Sequence, residues 1–469
     1  MKLSCNLSGN IFYISNIYGP CHNDDRTEFF DWLNNIDASQ MDHWILMGDF
    51  NLIRSPLDRN RPGGDTNNML IFNNLLQQQD LVEIPIKGRN FTWSNMQDSP
   101  LLEKLDWIFT SANWTLTFPN TLAHPLARVT SDHIPIHIQI GSDIPKSSIF
   151  RFENYWFEFD GFYEIVIQCW NRNQQLTNSA KDTAARFKCL RMGLKKWSKN
   201  LSKLNTNISA CNYVLSMIDG IEDQRNLSTI EANFRNILKG HITKLLEVKR
   251  IYWKSRFKMR SIQLDDENTE FFHAMATQSY RKNFITSIQD DDGTSFQNHD
   301  HKAAIIWKSY KDRLGKAINP PMLFNLEEII QPKDLSELEA PFSMDEIDQV
   351  IKDIHSDRAP GPDGFNGLFL KKCWNIIKQD IYTMIWDFFE GNIDIQSINT
   401  AFITLIPKIT NPIDMNDFRP ISLVSLPLKI ITKLMANRAQ KIITSVIHQN
   451  QYGFIKGRNI QYYLGFAFE

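Results

Sequence analysis

Cysteine is scarce in this chain and badly placed for holding a metal. Six residues in 469 lie at positions 5, 21, 169, 189, 211 and 373, with no Cys-x-x-Cys pair. That spacing argues against a zinc knuckle or a disulfide framework and fits a reduced, intracellular protein. No apolar run reaches the ~18 residues of a membrane-spanning helix. The opening MKLSCNLSGNIFYIS lacks the apolar centre of a secretory signal. These absences predict a nuclear or cytoplasmic chain without a membrane partner; they leave the oligomeric state open. Internal repeats and low-complexity tracts are also missing, which excludes solenoid and fibrous classes.

Net charge is nearly absent as well, at −2, but the average hides an asymmetry. Residues 1–150 carry ten Lys/Arg against sixteen Asp/Glu, whereas residues 181–260 carry eighteen against six. A local excess of twelve positive charges is the sort of patch that meets phosphates. The apolar fraction of 42% and the length suit a globular chain of two to four domains.

Three regions follow from the patterning. Residues 10–140 alternate short apolar runs with turn clusters, predicting strands at 11–17, 44–48, 105–109 and 134–140 and helices near 27–36 and 68–79. That is a mixed, largely antiparallel α/β layer arrangement. In 180–260, apolar residues recur at steps of three and four from Phe187 to Ile218 and again from Leu227 to Tyr252, with a break at Gly220. Two long helices folded into an antiparallel hairpin are expected, with His241 on the seam as a core-edge residue. Lys195, Lys196, Lys199, Lys249, Arg250, Lys254 and Arg256 lie outside the seam, forming either a solvated face or one that contacts phosphates. The third region, from about 320 onward, includes Ser343 with Glu346 three residues later, a capping box.

The chemistry concentrates in the first region. In HWILMGDFNLI (43–53) an apolar strand ends by delivering Asp49 and Asn51, with Phe50 between them. Strand alternation would aim both polar side chains the same way. Taken alone, this reads more readily as an Asp/Asn turn leaving a strand. Three other strand ends offer comparable groups: Tyr18 in FYISNIYGP, Asp106 within KLDWIF, and Asp132–His133 in SDHIPIHIQI. Hydrolysing a phosphodiester needs a group to orient water, donors to the phosphoryl oxygens, and a hard cation held by carboxylates. These residue types suit that task.

NIYGP, GDFN, FTWSN, LDWIF and SDHIPI, in this order, resemble the endonuclease/exonuclease/phosphatase family. More narrowly they resemble the endonuclease of plant LINE-type (non-LTR) retrotransposon polyproteins. The resemblance implies a four-layer αββα sandwich and Mg2+-dependent cleavage of DNA. By motif it implies that Asp49 orients or deprotonates water, Asn51 helps hold the phosphate, and Tyr18 touches the phosphate. Asp106 would pair with His133, Asp132 would lie beside the metal, and Thr92 would support the site or the nucleic-acid strand. In the family a Glu metal ligand lies upstream of the NIYGP strand. The seventeen residues before Tyr18 supply no such motif, and the expectation is half of a nuclease site.

RAPGPDGFNGLFLKKCW (358–374), AFITLIPK (401–408), DFRPISLV (417–424) and QYGFIKGRNI (451–460) resemble the finger motifs of LINE-type reverse transcriptases. Lys408 and Arg419 would sit near one end of two strands, either clamping a triphosphate or capping exposed strand ends. The palm aspartates that polymerisation requires have no counterpart here. Asp265–Asp266 and Asp290–Asp292 read as solvated loop acids.

The resulting expectation is an α/β (α+β) chain in five parts. Residues 1–142 are an N-terminally truncated endonuclease domain, 143–180 a connector, and 181–289 a basic helical linker. Residues 290–340 are a second connector and 341–469 the reverse transcriptase fingers, C-terminally truncated. It reads as a retrotransposon polyprotein fragment, ancestrally an Mg2+-dependent endonuclease and RNA-directed DNA polymerase, catalytically impaired, with DNA and RNA as partners. The alternatives are a noncatalytic nucleic-acid binder working through 181–289, and a self-sufficient phosphodiesterase that rebuilds its metal site with Glu28.

Overall fold

The computed structural model describes residues 1–4, 11–36, 41–141, 149–172, 178–201, 204–256, 277–315, 335–448, 451–453, 455 and 457–458. They divide into two compact units. One joins Met1–Ser147, Lys249–Ala317 and Leu405–Pro420; the other joins Ser148–Val248, Ile318–Thr404 and Ile421–Glu469. The divisions expected from sequence cut across these units. The first unit recruits two later segments, and the basic linker is shared between the two.

The sheet unit is built on five strands: β1 (Lys2–Ser4), β2 (Ile11–Tyr18), β3 (Trp44–Asp49), β4 (Val82–Glu83) and, across its centre, Asp106–Thr110. Two short strands come between these in the chain, β5 (Trp93–Ser94) and β6 (Leu102–Glu103), so Asp106–Thr110 is β7. The order is β1-β2-β3-β7-β4, with β2 and β3 parallel and the other pairs antiparallel. Alternation along the strands sorts the core onto two faces. Trp44, Leu46, Trp107 and Phe109 pack with Phe30, Leu33, Phe72 and Leu76 from helices α1 (Arg26–Asn34) and α2 (Thr66–Gln78). Ile45 and Ile108 point the other way, onto Trp114 and Ala123. These belong to α3 (Ala112–Thr117) and to β8 (Leu122–Pro125), which pairs with β9 (Ile136–Gln139). Each fully buried side chain of this size contributes ~1.5–3 kcal/mol, so both faces favour the fold strongly. The observation is a mixed α/β fold with several small sheets; predicted strands and helices of the first region all form.

Further along, β10 (Ile288–Gln289) pairs with β11 (Ser295–Phe296), and β12 (Ala401–Pro407) with β13 (Phe418–Val424). Ile288, Tyr310 and Met415 form a small core of the sheet unit there.

The helical unit has one large core. Phe162, Val166 and Trp170 of α4 (Phe162–Trp170) meet Phe187, Leu190 and Leu194 of α5 (Ser179–Trp197). Helices Met344–Asp353, Trp374–Phe389 and Leu426–Val446 complete it with Ile347, Ile381 and Ile430. The capping box expected at Ser343 and Glu346 forms. The turn PGPDG is tight for a reason: a Cβ on Gly361 would strike the Val424 carbonyl, and Gly364 adopts φ +84° against Phe150.

The basic region departs from expectation. The periodic stretch 187–218 is not one helix: α5 ends at Trp197, and α6 (Leu204–Glu222) begins after a short 3-10 turn. Alpha-helix 5's apolar stripe is consumed by the core of its own unit, with Phe187 edge-on to Trp170, so it is not available for a hairpin. Within α6, Ile218 alone is buried. The following helix α7 (Thr229–Arg256) returns past α6, where Arg235 pairs with Glu222 at 2.5 Å. Its buried positions are Leu245 and Val248. His241 is exposed, one position out of step with half-buried Ile242. Lys249 and Arg250 are half-buried. The side chains of Lys254 and Arg256 and the acids Asp265–Asp266 lie outside the described residues, as does much of QYGFIKGRNI.

Candidate active site

Two glycines let the site assemble. Gly48, at φ +136°, lies where a Cβ would strike the Ile17 carbonyl; a Cβ on Gly19 would strike Phe50 O. Their absence of side chains brings the ends of β2 and β3 together, Tyr18 opposite Asp49. On the other side β3 pairs with β7, placing Asp49 opposite Asp106. Asp106 therefore opens its strand. Trp93 makes an isolated bridge with His133, which brings the segment before β9 to the same edge.

At this junction His133 Nδ1 lies 2.8 Å from Asp106 Oδ2 and its Nε2 3.6 Å from Asp49 Oδ2. Ligand atoms of Asp49, Asp106 and His133 all fall within 4.8 Å of one another. The hydrogen bond that His133 donates to Asp106, with further help from neighbouring carboxylates, raises the His133 pKa above the usual imidazole range. Burial raises that of Asp49, against the opposing pull of its Asn51 hydrogen bonds.

Asn51 is fastened to Asp49 and Gly19. Beyond β3 the chain turns into the left-handed region, with Asn51 at φ +51°. Its backbone N–H donates to Asp49 Oδ1 at 2.9 Å, and its carboxamide donates to Asp49 Oδ2 at 3.1 Å and to Gly19 O at 2.8 Å. Both amide hydrogens are thus used, so the residue positions Asp49 and has no donor left for a phosphate. Thr92 is 2% exposed, and its Oγ1 accepts from the N–H groups of Leu105 and Asp106 at 3.0 Å. It supports Asp106 from behind and is out of reach of a nucleic-acid strand.

Asp132, expected beside the metal, is not among the three side chains whose atoms fall within 4.8 Å of one another, but it lies within electrostatic range of His133 and Tyr18. Its Oδ2 accepts from Trp93 Nε1 at 2.8 Å, which lowers its pKa. Trp93 is the residue that reading by motif missed, although it lies inside FTWSN. Tyr18 is 79% exposed at the mouth, with its hydroxyl 3.9 Å from Cys21 Sγ. Glu28 is exposed on α1 and is not among the clustered side chains.

The donor set fits a hard cation. Mg2+ retains several waters and takes one or two carboxylates, which Asp49 and Asp106 provide at the open edge. His133 would be oriented beside the ion by its hydrogen bond to Asp106.

Lys408 and Arg419 lie at the same end of the β12–β13 hairpin. The Lys408 ammonium donates to the Asn416 carbonyl at 2.6 Å, and Arg419 is exposed.

Residues 12–137 match the sequence model of a family described as Endonuclease-reverse transcriptase. The chain is also similar to the "Transposon TX1 uncharacterized 149 kDa protein" of Xenopus laevis, at 23% identity over 482 residues. That alignment covers 97% of this chain and 36% of the relative, so the chain spans about a third of the length of the curated protein it matches. The relative is amphibian, and the plant origin in the narrower resemblance gains no support from it. No described helix is long and apolar enough to cross a membrane.

Proposed function

We propose that the chain is part of a non-LTR retrotransposon polyprotein whose sheet unit hydrolyses phosphodiester bonds in DNA at Asp49, Asp106 and His133. The observation that carries this reading is the convergence of two carboxylates and an imidazole at open strand ends, in the segment matching an endonuclease-type family. A bound Mg2+ would supply charge neutralisation for the phosphoryl oxygens. Asp49, held by Asn51, accepts a proton from the attacking water. His133, kept upright by Asp106, donates a hydrogen bond through Nε2 to a phosphoryl oxygen. Water adds to phosphorus as one ester P–O bond breaks, leaving one phosphate end and one hydroxyl end.

Two carboxylates make a weak site for Mg2+, and slow turnover by the chain alone is expected. Lys408 and Arg419 are proposed to face a nucleoside triphosphate in a reverse transcriptase finger region; support is the motif order and the placement of both at one hairpin end. The test is nicking of supercoiled DNA by the full chain with Mg2+. Slow, metal-dependent nicking that disappears with Asp49→Ala and with His133→Ala is expected. Nicking that survives both substitutions would refute the assignment. Absence of nicking, with DNA binding retained, would favour the noncatalytic binder working through 181–289.

A further inference from the structure

Within the sheet unit, a later segment of the chain docks on the strands through cations that bind carbonyl oxygens. From the helical residues 277–283, Arg281 donates through Nε and Nη2 to Pro119 O and Phe118 O, both at 2.9 Å. Gln278 reaches Glu83 O at 3.3 Å, and Lys87 reaches the other way, its ammonium donating to Lys282 O at 2.8 Å. The loop after Lys282 and the tip of the β12–β13 hairpin close around this junction. Asn411 fixes that tip, accepting from Gly88 N at 3.0 Å and donating to Asn90 at 2.6 Å.

What remains between them is a pocket of ≈ 210 Å³, lined among others by Lys87, Lys282, Asn283, Ser287, Ser295 and Asn411. It is smaller than the ~300–1,000 Å³ of clefts for drug-sized ligands, so it suits a small polar group. No acidic residue lines it. Lys87 is 8% exposed, while Lys282 is at the surface. Among the described residues neither lysine forms an ion pair. Glu83 is within electrostatic range of Lys282, but its two oxygens are held by Arg54 at 2.7 Å and Lys104 at 2.8 Å.

A buried ammonium with an exposed one within electrostatic range, and no carboxylate lining the pocket between them, is repelled by it. The strain shows in Lys87, which burial and Lys282 bring down to about 8; it remains mostly charged at neutral pH. Hydroxyl and amide groups around the pair supply hydrogen-bond donors suited to a tetrahedral oxyanion.

We infer that this pocket is a phosphate-binding site built on Lys87 and Lys282, accepting a phosphate group from a nucleic-acid strand or from solution. It is separate from the Asp49–His133 cluster in residues and in chemistry, and does not depend on cleavage. A strand held there would be anchored by one phosphate without base readout.

The test uses the full chain in EDTA, which removes metal-dependent cleavage from the readout. Inorganic phosphate is titrated calorimetrically, and a fluorescent single-stranded oligonucleotide by anisotropy across a salt series. Lys282→Gln should weaken phosphate binding at least fivefold, and Lys282→Glu should abolish it while raising the melting temperature, because the new carboxylate pairs with Lys87. If the ligand is a strand, phosphate competes with the oligonucleotide, and Lys282→Gln lowers the salt slope by ~1. If it is free phosphate, calorimetry shows the same losses without competition. Phosphate binding by both variants within twofold of the parent, with unchanged circular dichroism, overturns the proposal. So does a parent that binds no phosphate.

Discussion

In the sheet unit Asp49 and Asp106 face each other across a strand pair with His133 between them. In the helical unit, by contrast, several half-buried carboxylates meet two donors or a fork of donors. Asp348 accepts from Trp374 Nε1 at 2.9 Å and from the Tyr382 hydroxyl at 2.6 Å, and Asp380 from Trp170 Nε1 at 2.7 Å. Asp363 accepts from the N–H groups of Phe365 and Leu426. Glu346 takes both arms of the Arg438 guanidinium. Saturated carboxylates fasten helices to one another. Asp49 and Asp106, set against each other with one imidazole between them, keep charge that is only partly compensated, which a cation can use. The comparison separates a place for chemistry from a means of folding, with the same residue types in both.

The largest expected effect is on rate. If the sheet unit cleaves DNA, His133→Ala should lower nicking by ~10²–10⁴-fold, with a much smaller change in thermal stability. A comparable loss of stability would put His133 with the fasteners. The reverse pattern is expected for Asp363→Ala, which leaves two buried N–H groups unpaired at ~1–3 kcal/mol each, partly offset by removing a buried carboxylate. Denaturant melts should show a net loss of about 2 kcal/mol on that basis, without effect on nicking.

The pH dependence sharpens the contrast. Burial raises Asp363 to about 6. A raised acid binds its proton first in the folded state, so its contribution favours folding below its unfolded value and is lost as pH rises through about 6. Arg438 lowers Glu346 to about 2. Its contribution is present above 4.5 and is lost as pH falls toward about 2. With Glu346 partly exposed, screening limits that contribution to about 1 kcal/mol. The stability difference between parent and Glu346→Gln should shrink from pH 5 to pH 2, and that between parent and Asp363→Asn should change from pH 7 to pH 4. Flat differences would show that neither ionisation is linked to folding. For His133, raised above its ordinary value, the linked stability is present below 6.5 and falls as pH rises through the folded value.

The smallest effect is expected at the turn between α6 and α7. Arg225 makes two bonds to Glu231, at 2.7 and 2.9 Å, on an exposed surface. Exposed pairs contribute little, so Arg225→Ala should leave the melting temperature unchanged within error. Binding is the sensitive readout there. If about five cations of 181–260 meet phosphates, log K should fall with log salt at a slope of roughly −3 to −5. Reversing Lys249, Arg250, Lys254 and Arg256 to Glu should abolish binding while leaving helicity intact. Salt-independent binding would count against a phosphate-contacting face.

Short-range pattern carried a good deal of this molecule. The alternation in Trp44–Met47 and in Trp107–Phe109 determined two-faced strands. The Ser343–Glu346 spacing determined a helix start, because a side chain reaches only the N–H groups a few residues away. Periodicity in 187–218 misled, since one apolar stripe serves equally for a hairpin or a core, and only packing against Trp170 and Phe365 decides which. The site shows the same division. The motifs singled out Asp49, Asp106 and His133 and offered Thr92 as a support, but only the tertiary structure fastened Asn51 to Asp49 and set Asp132 on Trp93. Those assignments depend on which donor lies within about 3 Å. The pairing of Lys87 with Lys282, nearly two hundred residues apart, was likewise decided by tertiary structure alone. A linear pattern records what a residue can bond; only the folded chain sets which partner comes within reach.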